Sequence, residues 1–398
     1  MAKVRVAVVG TGYWGVNYVR VFAELPQSEV VLVCDQSQER IEEIGRRFPG
    51  LETTTDLNRV LSRPDVDAVV ICTPATTHYQ VAADCLAAGK HILIEKPITI
   101  LSRDAQALVD QARARDRVLM VGHTFIHNGG VQKLKSYVEQ GDIGHPYYLH
   151  SRRTNMGPIR KDVNALWDLA PHDISIFNYL LDSVPAWVSA VGARVLGSPR
   201  EDVGFITLGY PNGVIGHIHV SWADPNKVRE IVVVGSDKRL VFDDLNALER
   251  VRVYEKGVRA SPEPSTYGES QFQMRDGDII SPRINGGEPL KNQCVHFVRC
   301  VAEGLDPITG GKEGKDVVMV MEAVDASVAR NGAPVEVSSP LVPAGISGAE
   351  RLSEKNGNGH SSGRGNSVPL VARAMFDALE PKLRPDPESS GEDPSDKQ

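Results

Sequence analysis

The run Val4-Arg5-Val6-Ala7-Val8-Val9 has the length and apolarity of a buried strand. It ends in Gly10, Gly12 and Gly15, spaced G-x-G-x-x-G with Thr11, Tyr13 and Trp14 between them, and a helix-like stretch from Val16 to Glu24 follows. This order of strand, glycine turn and helix limits the fold more than any other part of the chain. Gly10 permits a tight turn, Gly12 lets a diphosphate approach the backbone, and Gly15 lets the helix pack closely on the strand. The free N–H groups of the helix start then face phosphates. A second apolar run, Val30 to Cys34, ends in Asp35, 20 residues beyond Gly15, where an acid that binds ribose hydroxyls belongs. A carboxylate there repels a 2′-phosphate and no arginine directly follows it. NAD is therefore expected rather than NADP, with Arg40 too far along the chain to reverse the preference.

At 398 residues the chain has room for two or three domains, and 41% apolar residues suffice for ordinary cores. The net charge is −7 with basic residues scattered, so no nucleic-acid surface is expected. The five cysteines form no C-x-x-C pair, which fits a reducing compartment. Met1-Ala2-Lys3 leads straight into a strand with no signal-peptide pattern, and no apolar stretch approaches the roughly 20 residues that span a bilayer. A cytoplasmic protein with no membrane partner is expected.

Strand and helix patterns alternate through residues 1–123, which predicts a doubly wound parallel sheet, a Rossmann dinucleotide-binding domain. Its ligand lies beyond the carboxyl ends of the strands, so Gly10, Asp35, Thr73-Pro74 and Glu95-Lys96-Pro97 should line one crevice. Ser102 is expected to cap a helix over 103–115. Over residues 124–338 strand-like runs follow one another through short turns, with helices near 170–182, 289–303 and 315–330. This predicts an α+β domain with a large, open, mostly antiparallel sheet, suited to a substrate wall or a dimer surface. Residues 339–398 are rich in Gly, Ser, Pro and charge and read as a disordered tail. Within it, 368–379 has near-helical apolar spacing, either a transient helix or a docking helix for a partner.

Two places can carry chemistry. Lys96, just past the fourth strand run, can reach the crevice and steady alkoxide charge, although the position alone also suits a surface lysine. Asp168 and His172 are four apart, so a helical turn brings them to one side. Pro171 is tolerated in a first helical turn, which places the helix start near Leu169 or Ala170 and His172 at a helix N-terminus, where the dipole disfavours imidazolium. Asp168 then orients His172, bonds a substrate or merely caps the helix, and His172 is a base or a packing residue. His123 and His127 read as packing residues at a domain junction, and His296 as structural. No spacing suggests a metal or a serine nucleophile.

These residues resemble one family: the glucose–fructose oxidoreductase, inositol dehydrogenase and rhizopine-catabolism oxidoreductases. The likeness spans about residues 3–338. It is carried by Gly10-Thr11-Gly12-Tyr13-Trp14-Gly15, Thr73-Pro74-Ala75-Thr76-Thr77-His78, Glu95-Lys96-Pro97 and Asp168-x-x-x-His172. It implies catalytic Lys96 and His172 with Asp168 assisting. It also implies a cofactor contact at Thr73, Pro74, Thr76 and His78, and at Glu95 and Pro97 beside Lys96, with an open-sheet second domain that often makes homodimers or homotetramers. Leu166-Trp167-Asp168-Leu169-Ala170-Pro171-His172-Asp173 and Asn285-Gly286-Gly287-Glu288-Pro289-Leu290 look like members acting on nucleotide-linked sugars, such as UDP-N-acetylglucosamine 3-dehydrogenases. Arg152, Arg153, Asn155, Arg160, Lys161, Asn164 and Trp167 are then candidate substrate contacts, or solvated charges of sheet and loop. The expected activity is hydride transfer between a sugar secondary alcohol and nicotinamide. An inositol or free-sugar dehydrogenase, an NAD-dependent glycosidase and a cofactor-bound regulatory protein without turnover are the alternatives.

Overall fold

The computed structural model describes residues 3–157, 159–160, 163–260, 272–284 and 286–337. Lys161, Asn285 and the tail segment 368–379 lie outside the described residues.

The first part alternates strand and helix: β1 (Val4–Val9), α1 (Gly15–Glu24), β2 (Ser28–Cys34), α2 (Gln38–Arg47), β3 (Thr53–Thr54), α3 (Leu57–Ser62), β4 (Ala68–Ile71), α4 (His78–Ala87), β5 (His91–Glu95), α5 (Ser102–Ala114) and β6 (Leu119–Gly122). The sheet order is β3-β2-β1-β4-β5-β6, and every pairing is parallel. Val6, Ala7, Val8, Val69, Ile92 and Leu93 are fully buried, as strands covered by helices on both faces require. The order reverses between β1 and β4, and a ligand crevice opens at such a switch point. The two-residue edge strand β3 is too short to have a sequence signature. Asp56 caps α3 by accepting from Asn58 N at 2.9 Å. Ser102 does not act as a cap: it is the first residue of α5, and its N and Oγ donate to Glu322 at 2.9 and 2.6 Å.

The second part runs α6 (Gly129–Glu139), β7 (Pro146–Thr154), α7 (Ala165–Leu181), β8 (Trp187–Ala193), β9 (Val203–Gly209), β10 (Ile215–Ser221), β11 (Val228–Gly235), β12 (Arg239–Asp243), β13 (Val251–Tyr254), β14 (Gly257–Ala260), β15 (Phe272–Arg275), β16 (Ile279–Ile280), α8 (Pro289–Glu303), α9 (Gly311–Val328) and β17 (Val335–Glu336). Nine strands form a sheet of order β16-β13-β12-β11-β7-β10-β9-β8-β17, and β14 pairs with β15. Only β7 and β10 pair in parallel in that sheet. The period of two along each strand sorts its faces. Leu149, Ile206, Ile218, Ile231 and Leu240 join one buried core with Ala170, Ile174 and Phe177 of α7. Tyr148, Arg152, Phe205 and His217 are exposed on the opposite face.

The chain then returns to the first sheet. Leu290, Cys294 and Phe297 of α8 pack in one cluster with Val4, Tyr18 and Phe22. Val121 N donates to Thr309 O at 2.7 Å, and Thr309 Oγ1 donates back to Val121 O at 2.8 Å. Val318 of α9 joins the core of that sheet.

Helix α7 begins earlier than Pro171 suggests. Asn164 is its N-cap, accepting from Trp167 N at 2.9 Å, and Pro171 lies inside the helix. A proline there removes the N–H that would serve the carbonyl four residues earlier and crowds that turn. The next carbonyl along, that of Asp168, meets a group from outside the helix: Lys96 Nζ donates to it at 2.8 Å.

Candidate active site

The glycine turn closes by contact at two of its three glycines. Gly10 has φ +90°, and a Cβ there would lie 2.7 Å from the Cys72 carbonyl carbon. A Cβ on Gly15 would lie 1.9 Å from Gly10 O, so this glycine packs on the turn itself. Nothing lies within 4 Å of a Cβ built on Gly12. That open side, with no side chain capping the start of α1, fits a diphosphate against backbone N–H groups. Tyr13 and Trp14 flank it, exposed, with their rings in edge contact at 5.8 Å.

Asp35 follows β2 and is buried. Its Oδ2 accepts from Thr11 N at 2.6 Å and from Thr11 Oγ1 at 2.9 Å, and its Oδ1 accepts from Ser37 N at 2.9 Å. Burial pushes its pKa up, but these bonds and Arg40 outweigh burial and hold it below the usual value. Thr11 is thereby a tether of the carboxylate. Arg40 is not remote: Nη1 stands 3.6 Å from Asp35 Oδ2, because the first turn of α2 folds back on the strand end.

The Thr73–His78 turn abuts Gly10, as the Cβ contacts of Gly10 with Cys72 and Thr73 show. Thr77 Oγ1 donates to Thr73 Oγ1, while Pro74 and Thr76 are exposed. His78 is buried, not open to a ligand. Its Nδ1 meets Pro97 O at 2.7 Å and its Nε2 meets Thr73 O at 2.9 Å. The ring therefore ties the turn to the Lys96–Pro97 segment, whose peptide bond is cis. Burial lowers its pKa and the two carbonyls oppose that. Glu95 also points inward: Oε1 accepts from Tyr18 OH of α1 at 2.6 Å, and Gln293 Nε2 of α8 donates to the same phenol oxygen at 2.7 Å. Burial raises the Glu95 pKa.

Lys96 stands past β5 with its side chain only 10% exposed. Besides its bond to the Asp168 carbonyl, Nζ lies 3.6 Å from Asp168 Oδ1, to which Arg160 Nη1 donates at 3.2 Å. Burial lowers the Lys96 pKa, opposed by Asp168 and Glu95. His172 is one turn further along α7 and half-buried. Its pKa lies well below the usual value, first through burial and then through the charges of Lys96, Arg153, His123 and Arg229. The helix dipole is not the cause, since His172 is mid-helix and not at an N-terminus. Asp168 does not bond the imidazole: His172 Nδ1 is buried with no partner. The arrangement puts an amine and a neutral imidazole on one side of α7, able to hold an oxygen and take its proton.

The remaining candidates scatter. Arg152 is on the exposed sheet face, since alternation along β7 points it away from Arg153. Arg153 is buried and bidentate to Asp173, at 2.9 and 2.8 Å, so it is not available to a diphosphate. Asn164 caps α7, and Trp167 Nε1 donates to Asp325 Oδ2 at 2.9 Å. Asn155 follows β7 with a buried Oδ1 lacking a partner. Arg160 alone of these meets the Lys96–Asp168 pair. The sequence reads His123 as a packing residue and not as a group near the site. It is 2% exposed, both ring nitrogens lack partners, and burial followed by the Lys96 charge lowers its pKa to about 4. Its position directly after β6 was the available signal, the same strand-end rule that singled out Asp35 and Lys96. Among the described residues no group of His, Cys, Asp and Glu could hold a metal, and no helix is long and apolar enough to cross a membrane.

Residues 4–123 match a family model described as an oxidoreductase family with an NAD-binding Rossmann fold, and residues 131–241 match the GFO/IDH/MocA C-terminal domain. The UDP-N-acetylglucosamine 3-dehydrogenase of Acidithiobacillus ferrooxidans is 29% identical over 71% of this chain and 87% of its own. A 4-carboxy-2-hydroxymuconate-6-semialdehyde dehydrogenase of a Sphingobium strain is 30% identical over 82% of this chain and all of its own. A solved structure of the Acidithiobacillus 3-dehydrogenase superposes with a TM-score of 0.70 at 25% identity, covering 83% of this chain and 99% of that one.

Proposed function

This chain belongs to the GFO/IDH/MocA family of NAD-binding oxidoreductases, and on that premise we propose that it reversibly oxidises a secondary alcohol of a sugar, most readily a nucleotide-linked one. The observation that carries this reading is the meeting of Lys96 Nζ with the Asp168–His172 turn of α7, beyond the strand ends that frame the glycine loop. Bound at the glycine turn, NAD would supply the hydride acceptor. Gly12 leaves room for its diphosphate, and Asp35 stands at the end of β2 where its ribose would lie. His172, kept neutral near pH 7, accepts the proton of the alcohol. Lys96 donates a hydrogen bond to the same oxygen and steadies the charge that develops there. Asp168 holds the amine, and His78, bonded to Pro97 O, fixes the backbone next to Lys96. The likeness to a nucleotide-sugar dehydrogenase and the presence of Arg160 beside the pair support a phosphorylated substrate. Pairing into homodimers or homotetramers through the open face of the nine-stranded sheet belongs to the same reading, and light scattering tests it.

The test is NAD reduction, followed by absorbance, across UDP-, GDP- and dTDP-sugars, free sugars and inositols. A nucleotide-linked sugar is expected to give net reduced cofactor. Lys96→Ala should then lower turnover by about 100-fold with NAD affinity kept. Near-full turnover in that variant removes Lys96 from the mechanism. Substrate consumption with no net reduced cofactor would favour a glycosidase on this scaffold.

A further inference from the structure

A catalytic imidazole is commonly oriented by a hydrogen bond to its second nitrogen. His172 has none: Nδ1 is buried without a partner, and Asp168 is engaged with Arg160 and Lys96. What meets the ring is Phe125, on the 3-10 turn Thr124–His127, with centroids 5.1 Å apart and planes at 67°. Phe125 in turn lies against guanidinium groups. Arg153 Cζ is 4.3 Å from its centroid and Arg229 Cζ is 5.9 Å away. Arg153 cannot drift, because Asp173 holds both Nε and Nη2, and the two side chains are only 6% and 1% exposed. Asp173 is the residue after His172. The contacts therefore form a closed ring, from α7 through His172, Phe125 and Arg153 back to α7 at Asp173.

We propose that Phe125, Arg153 and Asp173 form a positioning bracket that sets the plane of the His172 imidazole in place of the missing hydrogen bond. This rests on the reading of His172 as the proton acceptor. Arg suits the role better than Lys, because a flat guanidinium stacks on a ring while its fork grips a carboxylate. The bracket also places a cation behind the imidazole. The charged and titratable groups around His172 are Lys96 beyond β5, His123 beyond β6, Arg153 of β7 and Arg229 of β11, with Asp168 and Asp173 on its own helix, Asp173 paired to Arg153 at 2.8 Å and Asp244 paired to Arg229 at 3.4 Å. Removing the Arg153 charge should therefore raise the pH at which His172 takes a proton.

Three variants separate geometry from charge. Phe125→Leu removes the ring and keeps the cation. Arg153→Lys keeps a charge and loses the stacked fork. The double change Arg153→Met with Asp173→Leu removes the charge without stranding a buried carboxylate. Two readouts are taken: the pH profile of kcat/KM on the alcohol that the substrate screen identifies, and the NMR titration of ¹⁵N-labelled His172, which needs no substrate. The double variant should move both midpoints up by about half a pH unit or more. Phe125→Leu and Arg153→Lys should leave the midpoints nearly in place while kcat falls by about 10-fold or more through misalignment. If all variants that fold keep wild-type kcat within about twofold and an unchanged His172 titration, the bracket is refuted while the dehydrogenase reading stands. If no alcohol is oxidised the catalytic reading fails, and the NMR arm still decides whether the bracket controls the ring.

Discussion

Asp35 shows how little separation along the chain says about separation in space. The carboxylate is held by Thr11, Ser37 and Arg40, so the group that should face a ribose is already neutralised on one side. Replacing it by serine would remove the charge that repels a 2′-phosphate and leave Arg40 next to that position. The expected outcome is a 10- to 100-fold shift of kcat/KM preference from NAD toward NADP, about the worth of one charged hydrogen bond. Steady-state kinetics with both cofactors checks it, and an unchanged ratio would mean that Asp35 does not meet the ribose. His78 and Glu95 carry a related lesson. Both belong to motifs read as cofactor contacts, yet both side chains turn inward and serve to fix the segments around Lys96.

At the level of the element, the glycine turn separates two tasks that the motif merges. Gly12 faces open space, whereas Gly15 has no room for a methyl group. Gly12→Ala should therefore fold with stability within about 0.5 kcal/mol of the parent and lose NAD affinity by about 10-fold or more. Gly15→Ala should lower the melting temperature as well, because the new methyl meets Gly10 O. Thermal unfolding with and without NAD distinguishes the two. Most elements were legible from local pattern, such as the ends of β1, β2 and β5, because an apolar run stops at Gly10, Asp35 or Glu95-Lys96. Three features were not. β3 is two residues long, too short for any periodicity. The start of α7 was placed late because Pro171 was assigned to a first turn, whereas the helix opens at the Asn164 cap and carries the proline inside it. Arg152 and Arg153 were read alike, although alternation along β7 sends one outward and the other into a buried pair.

Across the whole molecule, α8 and α9 return from the second sheet to the first, so Lys96 and His172 are held by one continuous body and not by two loosely linked ones. Buried imidazoles at that junction make the body sensitive to acid. His123 has its pKa pushed down to about 4 and His127 to about 3, in both cases first by burial. The sign follows from linkage: the unfolded chain binds these protons from about pH 6.5 downward, the folded chain only near the lowered values, so stability falls as pH drops between the two. His123 alone should lower unfolding free energy by about 2 kcal/mol between pH 7 and pH 5. His123→Asn should flatten that slope in urea titrations, and an unchanged slope would mean that the imidazole is already charged when folded. The central claim, that an amine from beyond β5 and an imidazole from α7 close on one carbinol, is tested most directly by a crystal structure of the NAD complex. The distances from Lys96 Nζ and from the His172 ring to the nicotinamide C4 are the quantities to read. Both groups should stand close enough that one substrate hydroxyl, or a single bridging water, touches each of them; a ring bound with either group turned away beyond that reach would contradict the account.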